Sequence, residues 1–272
     1  MATLFFIALF AFSIAMLGSI MGIGGGVFMV PLLVLVFHYP MKIAISAVLF
    51  AMVPYSLMAT WMNSRNKLIY WKLGILLEIP TILGAILGSY LCQYVNQAAL
   101  KTIFSFVVML AGYVMTGKGN PFFAYLGTKI KKLNQVAILF TLDNGEGKQV
   151  GVGLFSLLLF GGITGITAGL LGIGGGWMKT PVMILLFELS PRMAVGTALF
   201  MITMTSTTAA SSHFFFGSVD FSLTLTLMAA FPLGAFIGSR FLPKIQGNTH
   251  RILIGACLFC IGLVMLLTTF LL

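Results

Sequence analysis

Apolar residues fill most of the chain in stretches of about 20, the length a helix needs to cross a hydrocarbon layer roughly 30 Å thick. Polar residues are confined to the breaks between them. Leu4 to Ile20, Ile43 to Trp61, Gly74 to Tyr94 and Ile252 to Leu272 are such stretches. The pattern predicts five helical segments at 3–21, 27–37, 43–61, 72–94 and 98–116, and five more at 150–171, 177–188, 193–212, 221–243 and 249–271. The second segment of each set is short. Between the sets, Gly117 to Gln149 is polar and carries Lys118, Lys129, Lys131, Lys132 and Lys148. The expected organisation is a first transmembrane repeat (1–116), a polar cytoplasmic linker (117–149) and a second transmembrane repeat (150–272).

A shift of 150 residues lays one set on the other. GIGGG at Gly22 to Gly26 falls on GIGGG at Gly172 to Gly176, Pro31 on Pro181, Phe37 on Phe187, Ala44 on Ala194 and Phe50 on Phe200. LGA at Leu83 to Ala85 meets LGA at Leu233 to Ala235, and Lys42 and Lys101 meet Arg192 and Arg251. Self-similarity at a fixed period marks an internal duplication. An odd number of crossings per copy inverts the second copy relative to the first, and the distribution of Lys and Arg tests that parity. With loop 62–72 in the cytoplasm, all 15 Lys and Arg residues except Lys42, Lys101 and Lys179 fall on the cytoplasmic side. Both termini are then external. Four crossings per copy would split the basic residues between the two faces, whereas a re-entrant hairpin made by the first two segments would keep the same parity. The fold class expected is an all-α membrane protein of two inverted five-segment helical repeats, with helices broken at the Gly-rich loops.

Composition narrows the class further. A chain 60% hydrophobic, 7% charged and of mean hydropathy +1.10 cannot cover a soluble core with a polar surface. The net charge of +10 sits between apolar runs, where membrane topology explains it and nucleic-acid binding does not. The start lacks a charged n-region and an A-x-A site, so the first span is expected to be retained. Cys257-x-x-Cys260 matches a redox spacing but lies mid-segment with no His or acid beside it, and is read as two small hydrophobes. Five acidic residues and three histidines compose no catalytic triad or metal spacing, so neither an enzyme, a cofactor nor a metal is expected.

So much glycine costs a helix about 1 kcal/mol per residue relative to alanine, so each GIGGG should break its helix. Broken backbone at membrane depth survives only under protein cover or along a wet cavity. New helices should begin near Val27 and Trp177, and their free amides and positive dipole ends favour an anion. The competing reading is close packing through small residues. Gly24, Gly25, Gly26, Gly174, Gly175 and Gly176 are therefore substrate-site candidates. Lys179, where the first copy has Met29, is the leading anion ligand, the alternatives being a snorkelling side chain or a pair with Glu188. Ser46, Thr197 and Thr205 stand in hydroxyl-rich stretches of the same zone, although such groups also bond harmlessly to their own helix. Candidates for proton or sodium coupling are Glu78, which could instead pair with Lys72, and His213 with Asp220 at an outer loop. His38 and His250 are read as polar ends, and Trp61, Tyr70 and Trp71 as an interfacial belt.

With its two copies of a Gly-rich loop followed by proline, GIGGGVFMVP and GIGGGWMKTP, the chain resembles the sulfite exporter TauE/SafE family of bacterial membrane permeases. The resemblance covers both halves. It implies transport, often export, of sulfite, sulfonates or related small anions across the bacterial inner membrane, with Gly22, Gly24, Gly25, Gly26, Pro31, Gly172, Gly174, Gly175, Gly176 and Pro181 as motif positions. Lys179 falls in a variable slot. The partners expected are a small anion and the bilayer, with homo-oligomerisation left open. A channel built on the glycine loops and a non-transporting scaffold are the rival readings; duplication favours alternating access about a midplane site.

Overall fold

A backbone in hydrocarbon must satisfy its hydrogen bonds within its own segment, so apolar runs of this length become helices. The computed structural model describes residues 2–115, 125, 128, 138–143, 149–185, 187–216, 219–241 and 248–271. Its helices are α1 (Ala2–Met21), α2 (Gly26–Leu35), α3 (Met41–Arg65), α4 (Trp71–Tyr94), α5 (Gln97–Met115), α6 (Leu154–Leu171), α7 (Gly176–Leu185), α8 (Pro191–Phe216), α9 (Phe221–Phe241) and α10 (Asn248–Leu271). Six of them, α1, α3, α4, α6, α8 and α9, are long and apolar enough to cross a membrane. At 10 residues each, α2 and α7 extend only about 15 Å, half of the hydrocarbon thickness.

One departure from the expected all-α fold lies ahead of α6. Strands β1 (Ile138–Asp143) and β2 (Gln149–Gly153) pair antiparallel, so the segment expected from 150 becomes helical only at Leu154. Gly151 and Gly153 weaken helix there, and Val150 and Val152 suit a strand. The linker lysines lie outside the described residues.

The two halves repeat in conformation as well as in sequence. Gly26 and Gly176, Met41 and Pro191, and Trp71 and Phe221 each start a helix 150 positions apart. Gly22 and Gly172 both turn left-handed after their helix (φ 67° and 72°), as do His38 and Glu188 (φ 56° and 53°). Contacts follow the same exchange: α4 packs on α6 as α9 packs on α1, and α8 on α4 as α3 on α9. The remaining large contacts join counterparts to each other, α3 to α8 and α5 to α10.

Counterparts run antiparallel. Ser46 and Thr60 of α3 face His213 and Thr203 of α8, and Gly112 and Gly262 set the opposite ends of α5 and α10 together. By contrast α4 and α6 are parallel, with Gly161 on Leu77 and Pro80, Gly165 on Thr81, and Gly169 on Ala85. Small residues there bring backbone against backbone, which is how helices associate when lipid removes the hydrophobic incentive. Large apolar side chains such as Phe5, Leu83, Phe106, Phe215, Leu233 and Phe270 point outward, as a lipid-facing surface requires.

The two glycine loops meet. A methyl built on Gly26 would overlap the Gly172 carbonyl oxygen, and one on Gly176 would overlap the carbonyls of Gly22 and Ile23. Neither obstacle can swing aside, so Gly26→Ala and Gly176→Ala should each destabilise the protein by about 1–3 kcal/mol, the usual cost of overpacking. Gly162 of α6 has nothing within 4 Å of such a methyl, and Gly162→Ala should instead gain about 0.5–1 kcal/mol of helix propensity. Thermal unfolding of the purified variants measures both, and equal midpoints for all three would contradict the packing described.

Candidate functional site

The half-helix α7 starts at Gly176, and Lys179 follows within its first turn, its amide bonded to the Gly175 carbonyl at 3.2 Å. The side chain turns inward rather than to an interface and is 2% exposed. Its Nζ lies 3.0 Å from Glu78 Oε2 on α4 and donates to Thr205 Oγ1 on α8 at 2.5 Å. Thr205 in turn donates to Glu78 Oε1, and its oxygen also lies 3.0 Å from the Met201 carbonyl. Three helices thus deliver a cation, an anion and a hydroxyl to one buried point.

This pairing settles two alternatives left open by the sequence. The counter-charge of Lys179 is Glu78, not Glu188, and Glu78 looks to Lys179, not to Lys72. Two charges brought into a low-dielectric interior lose several kcal/mol of hydration each, and only mutual attraction with good hydrogen bonding offsets that. The triad supplies both. Beside Lys179 lies a cavity of about 10 Å³ lined chiefly by apolar groups, among them Leu77, Phe160, Val182 and Met201.

The other predicted residues divide among separate tasks. Ser46 and His213 meet at 3.2 Å, and His213 Nε2 lies 2.8 Å from the Gly169 carbonyl in the last turn of α6. A carbonyl only accepts, so Nε2 carries the hydrogen and Nδ1 accepts from Ser46, which satisfies a neutral imidazole. His213 is therefore a buried clamp between α3 and α6. It is not paired with Asp220 among the described contacts; Asp220 caps α9 by accepting the Leu223 amide at 3.0 Å. Thr197 accepts the Tyr70 amide at 2.9 Å and so fixes the entry to α4. Of the hydroxyl run on α8, Ser206, Thr207, Thr208 and Ser212 bond back to their own helix, leaving Thr205 as the member drawn into the charge pair.

The glycine candidates gather around a residue that the sequence reading passed over. Met52 of α3 is fully buried and lies against Gly24, Gly26 and Gly174, and Ile202, its counterpart on α8, contacts Gly24 and Gly174. Gly25 packs under Phe231, and Gly175 under the Lys179 stem and the Thr164 carbonyl. Both helix starts are thus covered by protein, as broken backbone at depth must be. The buried Trp177 Nε1, next to Gly176, and Tyr55 Oη find no hydrogen-bond partner among the described residues. Met52 and Ile202 stand 150 apart, so the repeat held the signal, but two aliphatic side chains announce no role by type. Cys257 and Cys260 are exposed on α10, and no metal-binding group of His, Cys, Asp or Glu forms among the described residues.

The positions matching Lys179, Glu78 and Thr205 in the other half are Met29, Met228 and Tyr55. The counterpart positions thus carry no charge. Lys179→Met or Glu78→Met alone strands one buried charge and should cost about 3–5 kcal/mol. The double variant recreates the arrangement at Met29 and Met228 and should recover most of that loss. A double-mutant cycle on thermal stability measures the coupling; additive losses would show that the two charges do not depend on each other.

The profile of the family described as Sulfite exporter TauE/SafE matches residues 7–265. The chain is 28% identical to the probable membrane transporter protein YunE of Bacillus subtilis over 90% of both chains. It is 26% identical to the probable membrane transporter protein MJ0441 of Methanocaldococcus jannaschii, over 94% of this chain and 92% of that one. No solved structure matches it. A multi-pass helical chain matched over nearly its whole length in this way belongs to the Sulfite exporter TauE/SafE family of membrane transporters.

Proposed function

We propose that the protein is a secondary carrier, working as an exporter, of a small sulfur-containing anion such as sulfite or an organosulfonate. The observation that carries this reading is the meeting of two half-helix starts at Gly26 and Gly176, with the buried Lys179 one turn away. Half-helices that begin at depth aim free amides and positive dipole ends at a common point. The amides of Gly24 to Gly26 and Gly174 to Gly176, the unpartnered Trp177 N–H, the Lys179 ammonium and the Thr205 hydroxyl form the anion's ligand set. Ser46 and Thr197, engaged with His213 and Tyr70, position the helices around it.

The halves act as inverted repeats in the bacterial inner membrane, with both termini external and the linker cytoplasmic. The antiparallel run of α3 against α8 and of α5 against α10 supports the inversion, since counterparts related by an axis along the membrane normal would run parallel. Close contact of the two glycine loops under Met52 and Ile202 fits an occluded state, and alternating access parts the loops toward one face and then the other.

Purified protein in liposomes should accumulate or exchange labelled sulfite, thiosulfate, taurine or sulfoacetate in preference to chloride, at carrier rates without unitary currents. Lys179→Met, and also the Lys179→Met/Glu78→Met pair that restores folding, should lose that flux by at least about tenfold, the equivalent of roughly 1.4 kcal/mol. Unitary currents would favour a channel; full flux in the double variant would remove Lys179 from the path.

A further inference from the structure

Glu78 and Lys179 come from opposite halves of the chain and are 3% and 2% exposed. Lys179 is the charged group that the described residues bring to Glu78. Thr205 of α8 bonds both charges, and beside Lys179 α6 contributes Thr164 and Phe160 and α8 contributes Met201; none of these titrates. His213, the buried titratable group farther along α8, is turned to Ser46 and Gly169. Met29 and Met228 at the counterpart positions carry no charge, so the repeated framework does not itself require an ion pair here. A cavity of about 10 Å³ lies beside Lys179.

We infer that this triad is an exchangeable ion pair that ties one proton to each transported anion, an inference that rests on the carrier reading above. The anion takes the Lys179 ammonium from Glu78 Oε2. The carboxylate then lies in the membrane interior without a cation, a costly state, and takes a proton from the compartment that the site then faces. One O–H bond forms on Glu78 and one breaks in the hydrated proton. Lys179 stays cationic, Glu78 is neutral, and Thr205 can turn its hydroxyl to accept from the protonated carboxyl. On release the anion leaves Lys179, Glu78 returns its proton to the compartment the site then faces, and the ion pair re-forms.

The proton count is thereby set by Glu78 and not by the charge of the cargo. A monoanion crosses in a site of zero net charge, whereas a dianion carries one negative charge across.

The test uses the full-length protein in liposomes holding a trapped pH-sensitive dye, with methanesulfonate and thiosulfate as probes because neither takes up a proton near neutral pH. Each should enter with about one proton, so that methanesulfonate moves no net charge and thiosulfate moves one. Whatever anion flux Glu78→Gln retains should carry no proton and ignore a pH gradient, and Glu78→Asp should restore the wild-type ratio. Anion flux without protons in the wild type, a ratio that follows the charge of the probe, or proton movement surviving in Glu78→Gln would each overturn the coupling while leaving the carrier reading intact. Absence of flux with every sulfur anion would overturn both.

Discussion

Everything in this fold answers to one constraint: a helix cannot be interrupted inside hydrocarbon unless protein covers the interruption. The chain interrupts itself twice, after α1 and after α6, and covers each break largely with the other. Gly26 against the Gly172 carbonyl and Gly176 against the Gly22 and Ile23 carbonyls are the points of contact. Met52 and Ile202 close over them from α3 and α8. Glycine is needed where a left-handed turn follows the helix, at Gly22 and Gly172, and where backbone touches backbone.

Upon this nearly two-fold framework a single asymmetric element is set. Lys179, Glu78 and Thr205 occupy positions whose counterparts are Met29, Met228 and Tyr55, and buried charge is concentrated in one of two otherwise similar environments. Losing one partner leaves the other charge buried, whereas the other half of the framework carries methionine at both equivalent places. An ion pair that stability does not demand, at the start of a half-helix in a transporter, is well placed for work that needs a charge to change partners.

Much of the framework was legible in the sequence because it depends on local signals. Apolar run length located the helices, the GIGGG motifs located the breaks, and the 150-residue shift predicted which helices would share a conformation. Lys179 stood out as a cation in an apolar segment. What could not be read was its counter-charge, since Glu78 arrives from a helix 101 residues away and Glu188 and Lys72 were equally plausible by local spacing. The same reason hid the partners of Ser46, Thr197 and His213, each of which comes from a distant part of the chain. The hairpin before α6 escaped because its alternation of glycine and valine lies at the edge of an apolar run.

The placement of α4 and α9 binds the two copies to each other. Each is packed among helices of the opposite copy, α4 on α6 and α8, and α9 on α1 and α3. A single copy standing alone would leave its fourth helix without its main partners and its glycine loop bare to lipid. The two halves are therefore interdependent: neither buries its fourth helix or covers its glycine loop until the other is in place.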